Sequence, residues 1–304
     1  MQCYLAFQRL QQEESEMGKH LECYDRWARL YNRTMGPAYC SPQFNLLKRS
    51  LLPGLPPGAE ILDLCCGTGQ LIKPLAEAGY ALTGLDLSEQ MLAFARSNAP
   101  NARYIHDDVR NYQEENRYDA IFSTSASLNH LSTMDELRQV FSNAMISLRS
   151  PGRFLFDLNH PGQLAKWWQG HPTEGEITQD CAWMVTPHYE AQEQSGAFRV
   201  TMFHKPEALP SFKRLATYIK RPLYGLMSQQ RFVGLRLKML QNFNRFEPNW
   251  TREDVDFPVV GHNLSAVRSA LSSIGFEKVK METIEGDQNI DDDHSAHFIC
   301  EKVG

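Results

Sequence analysis

The residues best placed to do chemistry lie in Asp63-Leu64-Cys65-Cys66-Gly67-Thr68-Gly69-Gln70, which follows an apolar run and precedes a helical pattern. Glycines there let the backbone approach a ligand, and a helix N-terminus offers free N–H groups. Asp86 ends the next apolar run, 23 residues after Asp63. In a doubly wound sheet that position lies beside the glycine turn, where an acid can accept bonds from ribose hydroxyls. Asp108 follows a third run in His106-Asp107-Asp108-Val109-Arg110, within reach of an adenine amino group. The turn alone could be structural and either Asp86 or Asp108 alone a solvated loop residue, but the two acids in these places after that turn point to a nucleoside site. A dinucleotide is the second candidate for it, but that fingerprint wants a third glycine where this chain has Ile72.

Elements of a particular kind must hold such a constellation. Strands are expected at 61–65, 81–85, 103–105, 120–122 and 154–157. Helices are expected at 69–78, 89–97 and 134–148 between them. The alternation implies a doubly wound parallel sheet, hence an α/β fold. Before it, residues 18–35 and Pro42 to Leu52 read as helices, ended by Pro53-Gly54-Leu55-Pro56-Pro57-Gly58. After Asn159 the rhythm stops. Residues 176–204 read as antiparallel strands. Phe212, Leu215, Ala216 and Ile219 fit one amphipathic helix, and Leu235, Met239 and Phe243 another. The α/β pattern resumes with a helix at 264–273, a turn at Gly275, and strands at 276–283 and 296–301. The domain reading is therefore an N-terminal helical cap at 1–52, a nucleoside-binding domain at 53–160 and 256–304, and an inserted segment at 161–255.

Composition narrows the classes. The chain has 304 residues, 42% hydrophobic and 22% charged, which suits a globular fold. The seven cysteines (Cys3, Cys23, Cys40, Cys65, Cys66, Cys181 and Cys300) are odd in number and irregularly spaced, so they read as free thiols in a reducing cytoplasm. The N-terminus reads as no signal peptide, and no run approaches the roughly 18 apolar residues of a membrane span. Net charge is −5, which argues against a general nucleic-acid binder. Lys205 to Arg245 holds nine basic residues and one acid, net +8, leaving −13 elsewhere. That stretch is an ordinary packed insert, a lid over substrate or, less favoured, a contact with an anionic membrane surface.

On these motifs the sequence resembles the class I S-adenosylmethionine (SAM)-dependent methyltransferases. Ile61 to Gly69 resembles the family's first motif, Gly84-Leu85-Asp86-Leu87-Ser88 its second-strand motif, Asp107-Asp108-Val109-Arg110 its adenine-side motif and Tyr118-Asp119-Ala120-Ile121-Phe122 its fourth strand. Cys65 departs from the glycine often found there. The resemblance implies a seven-stranded Rossmann-like sheet, SAM as cofactor, the Gly67–Gly69 loop facing the methionine part and Asp86 holding the ribose. Tyr24-Asp25-Arg26-Trp27-Ala28-Arg29-Leu30-Tyr31-Asn32 resembles the leading helix of small-molecule N-methyltransferases, where a tyrosine contacts the cofactor. Tyr31 is the first choice for that tyrosine and Tyr24 the second. The cofactor set is Tyr31, Asp63, Cys65, Gly67, Gly69, Asp86, Leu87, Met91, Asp108, Val109 and Ser123.

Methyl transfer from a sulfonium is an in-line displacement, so the protein mainly positions the nucleophile. A base is useful for taking the acceptor's proton. His130 and His160 follow the fourth and fifth strands, at the end where such folds bind ligands, and join Tyr31 as candidates. A structural role is the competing reading for each. Trp167 and Trp168 wall a substrate pocket or pack in the core. Asp291-Asp292-Asp293-His294 reads as a solvated loop, and no metal site is expected. The leading expectation is methylation of a small-molecule amine. The alternatives are O- or C-methylation, a SAM-fold binding or regulatory protein, and a methyltransferase of RNA or protein acting through the basic stretch. Oligomeric state is not legible.

Overall fold

The computed structural model describes Tyr24 and residues 27–178, 181–206, 220 and 222–303. These form two units: one up to Gln163 and from Val260 onward, the other Leu164–Val259.

In the first unit, helical residues 27–33 precede α1 (Met35–Ser50). The alternation is then β1 (Glu60–Leu64), α2 (Ile72–Glu77), β2 (Ala81–Asp86), α3 (Glu89–Asn98), β3 (Arg103–His106), β4 (Tyr118–Ser123), a 3₁₀ turn (Ser127–His130), α4 (Met134–Ser147) and β5 (Leu148–Leu158). α5 (Pro161–Trp167) follows and crosses into the second unit. After that unit come α8 (Leu264–Ile274), β10 (Glu277–Glu282) and β11 (Ala296–Lys302). The strand order is β3-β2-β1-β4-β5-β11-β10, with β11 antiparallel to β5 and to β10. Direction of winding reverses between β1 and β4, so the ligand crevice belongs at their carboxyl ends.

Residues pointing to both sheet faces are apolar because helices cover both. Leu62, Phe154, Phe156 and Phe298 pack with α4 and α8. Ile61, Phe122 and Leu155 pack with Leu46, Leu47 and Leu51 at the end of α1. Thr133 and Glu136 close a capping box at the start of α4. Gly275 ends α8 in the left-handed region with φ 114°.

The second unit holds a four-stranded sheet, β6 (Glu174–Ile177), β7 (Cys181–Glu190), β8 (Ser195–His204) and β9 (Thr251–Val260), in that order. Between β8 and β9 lie helical residues 222–227, a 3₁₀ turn (Gln230–Phe232), α6 (Val233–Gln241) and α7 (Phe243–Phe246).

Several expectations need correction. The helix expected from Pro42 begins earlier: α1 starts at Met35 and runs through Pro42. The helix expected at 69–78 is the shorter α2. Leu235 is 54% exposed, so the buried stripe of α6 runs instead through Arg236, Met239 and Leu240. β9 lies outside the expected strands, although Val255, Phe257 and Val259 are buried at alternate positions, with Asp254, Asp256 and Pro258 between or beside them. The amphipathic helix expected from Phe212 to Ile219, and most of the helix expected before residue 27, lie outside the described residues.

Candidate active site

Three left-handed residues shape the turn after β1: Cys65 (φ 61°), Gly67 (φ 53°) and Gly69 (φ 71°). Cys65 adopts this conformation despite its Cβ, at a cost of about 1–2 kcal/mol. A Cβ on Gly69 would come within 3.0 Å of Ala95 on α3, so glycine also permits the close packing there. The Asp86 carboxylate clamps the turn, accepting from Gly67 N at 2.8 Å and from Ser88 N at 2.9 Å. Asn98 Nδ2 donates to Thr68 O at 2.8 Å and to Asn32 Oδ1 at 2.7 Å, tying the helical residues 27–33 to the same turn.

The turn borders a cleft at the carboxyl ends of β1 and β4, lined among others by Tyr31, Asp63, Cys65, Gln70, Thr124 and Ser125. Asp63 is 3% exposed, and no hydrogen-bond or ion-pair partner is present for it among the described residues. Burial, and then the nearby Asp86 charge, push its carboxyl well above the usual range. Burial, with Asp63 and Asp86, also pushes the Tyr31 phenol up, so it remains an O–H donor. The Cys65 and Cys66 thiols rise for the same reasons and stay protonated. No Lys or Arg among the described residues lines the cleft, so it is short of a positive charge.

Other expected residues scatter around this centre. Met91 and Val109 are buried, and Met91 N donates to the Ser88 side chain at the start of α3. Leu87 O is bonded to His106 Nε2 at 2.8 Å. Ser123 Oγ is buried with no hydrogen-bond partner among the described residues. Asp108 accepts from Arg110 N, Nε and Nη2, and Arg110 also reaches Glu136 of α4. Arg110 and Glu136 were not singled out from sequence, yet they hold the loop that carries Asp108.

The histidines separate. His130 is half-buried in the 3₁₀ turn, edge-on to Tyr24 with ring centroids 5.8 Å apart. His160 is 9% exposed and its Nε2 donates to Asp291 O at 2.7 Å; neither histidine is among the residues lining the cleft. Its position is that of an anchor for the 291–294 loop. Trp167 is 54% exposed, and Trp168 stands edge-on to Phe198 of β8. In the 291–294 loop, His294 pairs with Asp291 at 2.6 Å. No cluster suited to a metal occurs among the described residues.

The residues present fit a nucleoside carrying positive charge. Gly67 and Gly69 open the backbone, Asp86 is bonded to Gly67 N and Ser88 N beside them, and Asp63 lacks a counter-charge that a sulfonium and an ammonium would supply. Fold and site together define a Rossmann-like nucleoside-binding domain, and comparison with known proteins narrows the class. Residues 61–152 match the family model described as a methyltransferase domain. Over 207 residues the chain is 33% identical to the dTDP-3-amino-3,4,6-trideoxy-alpha-D-glucopyranose N,N-dimethyltransferase of Streptomyces venezuelae, covering 59% of this chain and 84% of that one. It is 31% identical over 147 residues to YqeM of Bacillus subtilis, 47% of this chain and 58% of that protein, so it spans little more than half of YqeM. In fold it is similar to a SAM-dependent methyltransferase from Clostridium acetobutylicum, with TM-score 0.64, 15% identity, and coverage of 93% of this chain and 100% of that one. This chain belongs to the class I SAM-dependent methyltransferases. Its cofactor is SAM.

Proposed function

We propose that the chain transfers a methyl group from SAM to an amine nitrogen of a small molecule. The observation that carries the reading is the buried, uncompensated Asp63 beside the left-handed glycine turn. A cation-deficient cleft at the switch point of the sheet favours SAM over an anionic dinucleotide. The amine acceptor draws its support from the amino-sugar N,N-dimethyltransferase relative.

SAM, when bound, supplies the electrophilic methyl carbon. The chain's own residues bind and orient. Asp63 meets positive charge, and Asp86, fixed by its bonds to Gly67 N and Ser88 N, holds the ribose. Tyr31, held protonated, donates a hydrogen bond into the cleft. His130 takes the proton that the acceptor nitrogen loses. A labelled-methyl assay tests this with a dTDP-3-amino-sugar beside phenol and carboxylate acceptors. Label is expected on the amine. Transfer confined to oxygen or carbon acceptors would overturn the nitrogen assignment.

A further inference from the structure

On the sheet face that packs beneath α1, three ionisable side chains form a transverse row. Register places Glu282 of β10 opposite His297 of β11, and His297 opposite Asp157 of β5. Residues opposite one another on antiparallel strands share a face, with Cβ atoms about 4.5–5.5 Å apart. All three are buried, at 1%, 2% and 4% exposure. Glu282 is satisfied: Arg49, Ser50 and Lys280 all donate to it. Asp157 is satisfied on one side only. Its Oδ2 accepts from Ala126 N at 2.9 Å, while its Oδ1 and both His297 ring nitrogens have no hydrogen-bond partner among the described residues.

Ala126 is where this row meets the cleft. Ser125 and Ala126 both have left-handed φ, 63° and 55°, in a turn whose Thr124, Ser125 and Ser127 line the cleft. Two consecutive residues with Cβ atoms persist in that conformation only where the surroundings over-determine it. Asp157 holds the turn from the sheet through the Ala126 amide, while Ser127 Oγ closes it internally on Thr124 O at 2.8 Å. A buried carboxylate in turn needs a compensating charge. Burial pushes Asp157 up, and His297 pulls it back.

We propose that Asp157 and His297 are a buried positioning pair that locks the Thr124–Ser127 turn and so sets where the acceptor sits. The acceptor part rests on the function proposed above; the pairing and the lock do not. Amide hydrogen exchange and imidazole ¹⁵N shifts test them directly. Asp157→Ala should speed exchange at Ala126 about 10- to 100-fold, the scale of one hydrogen bond to a charged group. Asp157→Asn keeps an accepting oxygen and should restore most of the protection. It also removes the charge, so it should shift the His297 ring nitrogens as His297→Gln removes them. S-adenosylhomocysteine affinity, by calorimetry, should be unchanged in Asp157→Asn. With the dTDP-3-amino-sugar, Asp157→Ala should raise acceptor KM more than it lowers kcat. Unaltered Ala126 exchange in folded Asp157→Ala protein, or unmoved His297 resonances in Asp157→Asn, would overturn the proposal. An inactive wild type with the exchange pattern intact would overturn the acceptor and leave the pair standing.

Discussion

Asp63 and Asp86 sit close together at the end of two parallel strands, and their chemistry differs because their surroundings do. Asp86 is supplied with backbone donors, whereas Asp63 is buried without one among the described residues. A carboxyl whose folded pKa is raised binds its proton more tightly in the folded state. Its charged form therefore costs stability as pH rises through that raised value. Asp63→Asn should then raise the melting temperature of ligand-free protein, by about 2–4 °C per kcal/mol relieved, and weaken SAM binding. A variant that binds SAM normally would sink the assignment of Asp63 to the cofactor. Asp86→Ala should cost roughly 1–3 kcal/mol of SAM affinity in calorimetry. His130→Ala should lower turnover about 10²- to 10⁴-fold with SAM affinity retained. His160→Ala, which removes a bond to Asp291 O, should reduce stability rather than the chemical step; equal losses of turnover in both would contradict the separation drawn here.

Elements transmit these roles through shared side chains. Glu136 serves two of them: its Oε2 accepts from Thr133 N at 3.1 Å in the α4 cap, and its Oε1 takes Arg110, which in turn holds Asp108. Thr133→Ala should cost about 1 kcal/mol by denaturant melts, the worth of a cap, with no change in SAM affinity. Glu136→Ala should cost at least as much and also weaken SAM binding, because the loop carrying Asp108 loses its tie to α4. Equal SAM affinity in the two variants would mean that the α4 end and the Asp108 loop act independently.

At the scale of the whole molecule, distant segments meet at single charges. Glu282 lies on β10, and Arg49 and Ser50 reach it from the end of α1. Burial alone would raise its pKa, but Arg49, Lys280 and Ser50 overcome it and hold Glu282 down at about 2. A depressed carboxylate contributes stability above its unfolded pKa and loses it as pH falls through the folded value. Urea melts should therefore show stability falling between about pH 4.5 and pH 2, and Glu282→Gln should flatten that slope. SAM at 100 times its Kd should add about 2.7 kcal/mol to the stability of the first unit; no thermal shift would argue against cofactor binding there.

What the sequence determined by itself is whatever local pattern encodes. The apolar runs around Asp63, Asp86 and Asp108, with Gly67 and Gly69 between strand and helix, are periodicities and turn chemistry readable within some ten residues each. They placed the doubly wound sheet and its cofactor end. The alternation of Val255, Phe257 and Val259 was equally local, but Pro258 within it argues against a strand interior. Tertiary structure alone decided the partners. His160 meets the Asp291 carbonyl across 131 residues of chain, so its spacing from the fifth strand could not separate a base from an anchor. Asp157 and His297 face each other because β11 enters the sheet antiparallel beside β5, and neither residue carries any local mark of the other. Side-chain roles in this chain are set by which groups burial leaves without water, and that is a property of the packed fold.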